Sequence, residues 1–122
     1  MSKIIKAVNS MISNEVHIGP VIRGYEGSEF FFMYGRKYKW SIIRNQKNDY
    51  YLHYYPGDQD LEQLASWPEE AWHEFGEMVS YNSRELGTKE AHDSLSELYT
   101  VIQEKLYGMD EVLDDIIGDD SF

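Results

Sequence analysis

The chain has 122 residues, no cysteine, and 22 Asp/Glu against 11 Lys/Arg, a formal net charge of −11. That length holds one domain with one core, and the lack of thiols excludes a disulfide framework and any thiolate-based zinc or iron–sulfur site. The charge is unevenly divided. Residues 1–56 carry eight Lys/Arg and four acids, a net of +4, whereas residues 57–122 carry three and eighteen, a net of −15. An asymmetry of this size bears on partners and association rates, not on fold.

With 42% hydrophobic and 15% aromatic residues the composition is that of a folded globule, and only the acidic end, Gly118–Phe122, is expected to be a disordered tail. Residues 1–117 are read as one α+β domain. Ser2 is a cap for a first helix in which Ile4, Ile5, Val8, Met11 and Ile12 share one face. Polar Lys6, Asn9 and Ser10 interrupt that segment, so it is read as neither a signal peptide nor a membrane span. The expectation is a cytoplasmic protein with no membrane association. Next, Val16-His17-Ile18 and Val21-Ile22-Arg23 read as short strands around Gly19-Pro20, with Gly24 and Gly27 at turns.

Phe30–Tyr34, Lys37–Arg44 and Tyr50–Tyr55 are rich in aromatic and β-branched residues and read as strands of an antiparallel meander of three to five strands. Gly35-Arg36 suits a two-residue hairpin loop, and Asn45–Asp49 a longer polar turn. The rest is read as helical. Leu61, Leu64 and Ala65 form a short piece, and Ser66 with Glu69 forms a capping box with Pro68 in the first turn. A long helix then carries Ala71, Trp72, Phe75, Met78, Val79 and Leu86 on one stripe. Gly87 closes it, and Thr88 caps a second with Ala91, Leu95, Leu98, Tyr99, Ile102 and Leu106, giving an acidic αα-hairpin. Beyond Gly108, Asp110 caps a short terminal helix with Val112, Leu113, Ile116 and Ile117.

If Gly35-Arg36 is the loop, Tyr34 faces Lys37 and Phe32 faces Lys39. One sheet face then holds Phe31, Met33, Tyr38, Trp40, Ile42, Tyr50, Leu52 and Tyr54, the seat for the acidic helices. The other mixes aromatics with cations: Phe30, Phe32, Tyr34, Lys37, Lys39, Ser41, Ile43, Tyr51, His53 and Tyr55. Either the first helix covers it, with Lys stems reaching out, or part stays open as a contact surface. A one-residue slip exchanges the faces.

Catalytic signatures are missing from the chain: it has no HExxH, Gly-rich phosphate loop, G-x-S-x-G elbow or EF-hand loop. Of the four histidines, His73 stands four residues before Glu77, where a shared ligand is geometrically open, but zinc needs three or four converging ligands. The expected function is therefore non-catalytic, with no cofactor and no metal. The chain is read as a small acidic protein-binding module, of the inhibitor, immunity-factor or adaptor kind. Its partner is a protein, basic or nucleic-acid-handling, met through Glu70, Glu74 and Glu77 of the helices or through the Phe30/Phe32/Tyr34 face. Homodimerisation belongs to the same reading.

Two alternatives are of other kinds. Phe30, Phe32, Tyr51 and Tyr55 stack single-stranded nucleic acid while Lys37, Lys39 and Arg36 take its phosphates, although the acidic half repels the same phosphates. Alternatively, the carboxylates imitate nucleic acid and occupy a protein that handles it. The acidic–aliphatic end of the chain either docks on the core, which is the expectation, or inserts into a partner's groove.

Overall fold

A computed structural model describes residues 2–24, 28–57, 60–66 and 78–119. Helix α1, Lys3–Ser13, leads through a short 3₁₀ turn, Glu15–His17, into strand β1, Ile18–Arg23. Strands β2 (Glu29–Tyr34), β3 (Tyr38–Arg44) and β4 (Tyr50–Tyr55) follow, then α2 (Leu61–Ser66) and strand β5 (Val79–Asn82). Helices α3 (Ser83–Leu86), α4 (Lys89–Tyr107) and α5 (Met109–Asp119) complete an α+β fold. The sheet is antiparallel throughout, in the order β1-β2-β3-β4-β5. No described helix is long and apolar enough to cross a membrane.

The caps read from the sequence do their work. Ser2 Oγ accepts from the Ile5 amide at 3.3 Å and Thr88 Oγ1 from the Ala91 amide at 3.0 Å, each filling an orphan donor of a first helical turn. Gly87 and Gly108 close α3 and α4 with φ of 70° and 62°, a conformation in which a Cβ is strained. A cap not foreseen opens α2. Asp60 Oδ1 accepts from the Gln63 amide at 2.8 Å while Gln63 Oε1 accepts from the Asp60 amide at 3.0 Å.

Beta pairing departs from expectation in three places. The β3–β4 register is the one foreseen, with Arg44 opposite Tyr50. The β2–β3 register is offset by one residue: Tyr34 faces Tyr38, Phe32 faces Trp40 and Phe31 faces Ser41. Gly35 and Arg36 both have positive φ (65° and 59°), the Lys37 amide donates to Tyr34 O, and Lys37 is the added residue that shifts the pairing. Second, the two short strands expected around Gly19-Pro20 are one strand. It bulges between Ile18 and Val21, where Pro20 has no amide to donate and an edge strand tolerates the gap. Third, Val79–Asn82, expected inside a long helix, is a strand paired with β4. Its pairing satisfies backbone groups that β4 would otherwise leave open at an edge. Asn82 then caps α3, its Oδ1 accepting from the Glu85 amide at 2.7 Å. Residues 67–77, which would have formed the first arm of the αα-hairpin, lie outside the described residues.

Two apolar clusters follow from this register. On one face Phe30, Phe32, Ile42, Tyr50 and Leu52 meet Leu95, Leu98 and Ile102 of α4, with Val8 and Met11 of α1 in the same cluster. Helix α1 packs along α4, and Ser94 Oγ donates to Asn9 Oδ1 between them at 2.8 Å. On the other face Phe31 and Tyr55 pack with Leu61, Leu64 and Ala65 of α2. The triplet Phe30-Phe31-Phe32 thus supplies both faces, and all three rings are buried.

Candidate interaction surfaces

The aromatic–basic face read from the sequence forms only in its β3–β4 half, where Lys39, Ser41, Ile43, Tyr51, His53 and Tyr55 share one side of the sheet, while Phe30, Phe32 and Tyr34 lie on the other. Phe30 and Phe32 are 3% and 0% exposed and lie under α4. Tyr55, 1% exposed, points to the opposite face. The one-residue register offset separates β2 from the side chains it was expected to join, so these three rings present no shared stacking platform. This corrects their assignment as contact residues. Of the remaining candidates, Lys39 and Tyr51 share the Tyr55 face, Tyr34 lies on the other and Lys37 is in the turn. Tyr34 is half-buried with His17 edge-on, its ring centroid 6.2 Å away. Lys37 is exposed, its Nζ 5.2 Å from the Tyr38 ring centroid. Lys39 is half-buried and donates to Gly57 O. Tyr51 stacks on His53 with centroids 6.5 Å apart. Glu70, Glu74 and Glu77, like His73, lie outside the described residues.

Beneath the second face lies a polar cluster that the sequence did not signal, because its members are far apart in the chain. Ser41 Oγ donates to Glu29 Oε2 at 2.5 Å; the Tyr55 hydroxyl stands 2.8 Å from Ser41 Oγ and 3.5 Å from Glu29 Oε2. Ser41 is fully buried and Glu29 half-buried. Burial first, and then the Glu29 charge, push the Tyr55 phenol far above its ordinary range. A protonated phenol and a hydroxyl that already serve a carboxylate satisfy one another; the cluster stabilises the sheet interior. Nearby, His53 Nδ1 is 2.7 Å from Ser80 Oγ, and burial lowers the pKa of the ring.

Among the described residues, the largest concentration of exposed apolar side chains is on the last helix. Helix α5 follows α4 after Gly108, whose amide donates to the carbonyls of Glu104 and Lys105. Val112, Leu113, Ile116 and Ile117 of α5 are 43%, 46%, 56% and 65% exposed. At about 100° per residue these four, with Met109, fall within one arc, while Asp110, Glu111, Asp114 and Asp115 fill the other side. The helix touches α4 near their junction, residues 110–118 are all exposed, and the stripe does not lie on the core. That overturns the expectation of a terminal helix docked inward. Gly118 and Asp119, expected in the tail, belong to α5.

An acidic row adjoins this helix. Glu90, Asp93, Glu97 and Glu104 occupy one stripe of α4, all exposed, over about 21 Å at 1.5 Å per residue. The apolar residues of α4 face the sheet, which leaves the carboxylates on the outside. A notch of about 300 Å³ lies between the two helices and is lined by Glu15, Val101, Lys105, Met109 and Glu111. Comparison with family models, with curated proteins and with solved structures finds no match for this chain.

Proposed function

We propose that the protein is a non-catalytic binding module whose contact element is α5. The observation that carries this is the exposed stripe Val112/Leu113/Ile116/Ile117, set on a helix whose other side is acidic. An amphipathic helix with anchors at i, i+1, i+4 and i+5 suits a hydrophobic groove. Fully burying an aliphatic side chain is worth roughly 1.5–3 kcal/mol. These four are about half exposed, so docking gains roughly 1 kcal/mol from each before ordering costs. The carboxylates of α5 and the acidic row of α4 select a groove with a cationic rim and speed encounter with it.

The test compares wild-type chain with the Leu113→Asp/Ile116→Asp double variant as bait, with mass spectrometry of retained proteins at low and high salt. Both substitutions are at exposed positions, and circular dichroism checks the fold. Loss of specific, salt-sensitive capture in the variant supports the proposal. Equal capture by both chains overturns it.

A further inference from the structure

We infer that the partner of α5 is a second copy of this chain, whose cleft beside the β2–β3 turn receives the helix; this rests on the assignment of α5 as the contact element. The cleft has a volume of about 610 Å³, and Val16, His17, Pro20 and Arg36 are among its lining residues. Val16 is 83% exposed, the most exposed large apolar side chain described, and Pro20, His17 and Arg36 are also exposed. Its chemistry complements α5: a mixed lining in which Val16 and Pro20 stand with His17 and Arg36, Lys37 being next in sequence, meets an apolar stripe flanked by Asp110, Asp114 and Asp115.

Placement makes the pairing reciprocal. Glu15 lines the notch at the root of α5, and its neighbour Val16 lines the cleft, so helix and cleft lie at the same end of the molecule. A two-fold rotation about that end sets each α5 into the other copy's cleft and closes the assembly as a dimer. The single residue joining α4 to α5, Gly108, is held by its bonds to Glu104 and Lys105 and sets where α5 leaves α4. Pairing two α5 stripes with one another instead would bring their flanking carboxylates together, which like charge opposes.

The experiment is sedimentation velocity of the full chain from low micromolar to near-millimolar concentration, with covalent trapping as a second measurement. The wild type is expected to dimerise, more weakly as salt rises. Leu113→Asp/Ile116→Asp should be monomeric throughout, and Arg36→Glu should weaken the dimer at least tenfold. Combining Arg36→Glu with Asp114→Lys should recover part of that loss. Because the chain has no cysteine, mixing Val16→Cys protein with Ile116→Cys protein under mild oxidation should give a disulfide-linked heterodimer. Ser10→Cys, in place of Val16→Cys, should not.

A wild type that stays monomeric, or forms dimers indifferent to Leu113, Ile116 and Arg36, overturns the inference. Growth beyond the dimer overturns the two-fold arrangement. A monomer that still captures a protein through the Leu113/Ile116 stripe loses only the second-copy assignment. A monomer with no stripe-dependent capture loses both this inference and the proposed function.

Discussion

The Arg23 guanidinium lies over the Tyr107 ring, 5.3 Å from its centroid, and its Nη2 donates to the Tyr107 hydroxyl. The contact joins β1 to the last turn of α4, one residue before Gly108 and the start of α5. Tyr107 is 53% exposed, so this is a surface clasp, not a core contact. It bears on the proposed contact element because it fixes the end of α4 from which the apolar stripe of α5 projects.

Replacing Tyr107 by Ala should therefore loosen α5 more than it destabilises the domain. The cation–π contact is worth about 0.5–1 kcal/mol at an exposed site. Hydrogen exchange should quicken at residues 108–113, while amides of β2–β4 keep their protection. Unchanged exchange in α5 would show that the Arg23–Tyr107 contact does not hold it.

Phe32→Ala should cost about 3–5 kcal/mol, a large share of the roughly 5–15 kcal/mol that stabilises a typical domain. Phe32 is fully buried between the sheet and α4. Lys37→Ala, in the exposed turn, should stay within about 0.5 kcal/mol. Urea unfolding of the two variants measures the contrast. A small effect of Phe32→Ala would restore the open-face reading of β2.

Tyr55 gives the alkaline side of the stability profile a defined sign. Its phenol pKa is raised in the folded chain, by burial and then by Glu29. Above the unfolded value of about 10 the unfolded state has released a proton that the native state keeps, so stability falls as pH rises. The slope from this group is at most about 1.4 kcal/mol per pH unit. Tyr55→Phe should lose about 0.5–1.5 kcal/mol at neutral pH, and the gap to wild type should narrow above about pH 10. Parallel curves from pH 9 to 11.5 would remove Tyr55 from this role.

His53 acts on the acid side with the opposite protonation. Burial holds its ring below the ordinary 6.5. As pH falls through that value the unfolded chain takes up a proton that the folded ring resists, and stability declines. A proton NMR titration of the ring should show a midpoint below 6.5. A midpoint above it would mean that a carboxylate faces the ring and outweighs burial.

How much was legible in the sequence varied with the range of the forces involved. Helix starts at Ser2 and Thr88 and stops at Gly87 and Gly108 were readable, because a cap is settled by a side chain and amides three or four residues away. The β3–β4 register was readable from hydrophobic alternation. For β2 alternation carries no information, since Phe30, Phe31 and Phe32 are all buried and either register hides them. Val79–Asn82 misled for a related reason. Its residues fit a helical stripe locally, and its state was decided by the open backbone of β4, some 25–30 positions earlier in the chain.

By itself, the amino-acid order determined an α+β chain with one basic and one acidic half, capped helices, and an amphipathic segment at its end. These follow from composition and from interactions spanning a few residues. Only the tertiary structure decided which aromatics are core, that Glu29, Ser41 and Tyr55 meet inside the sheet, and that the stripe of α5 faces outward. Each of those depends on which surface remains once α4 and α2 have covered the sheet, a competition among distant segments for the same apolar area.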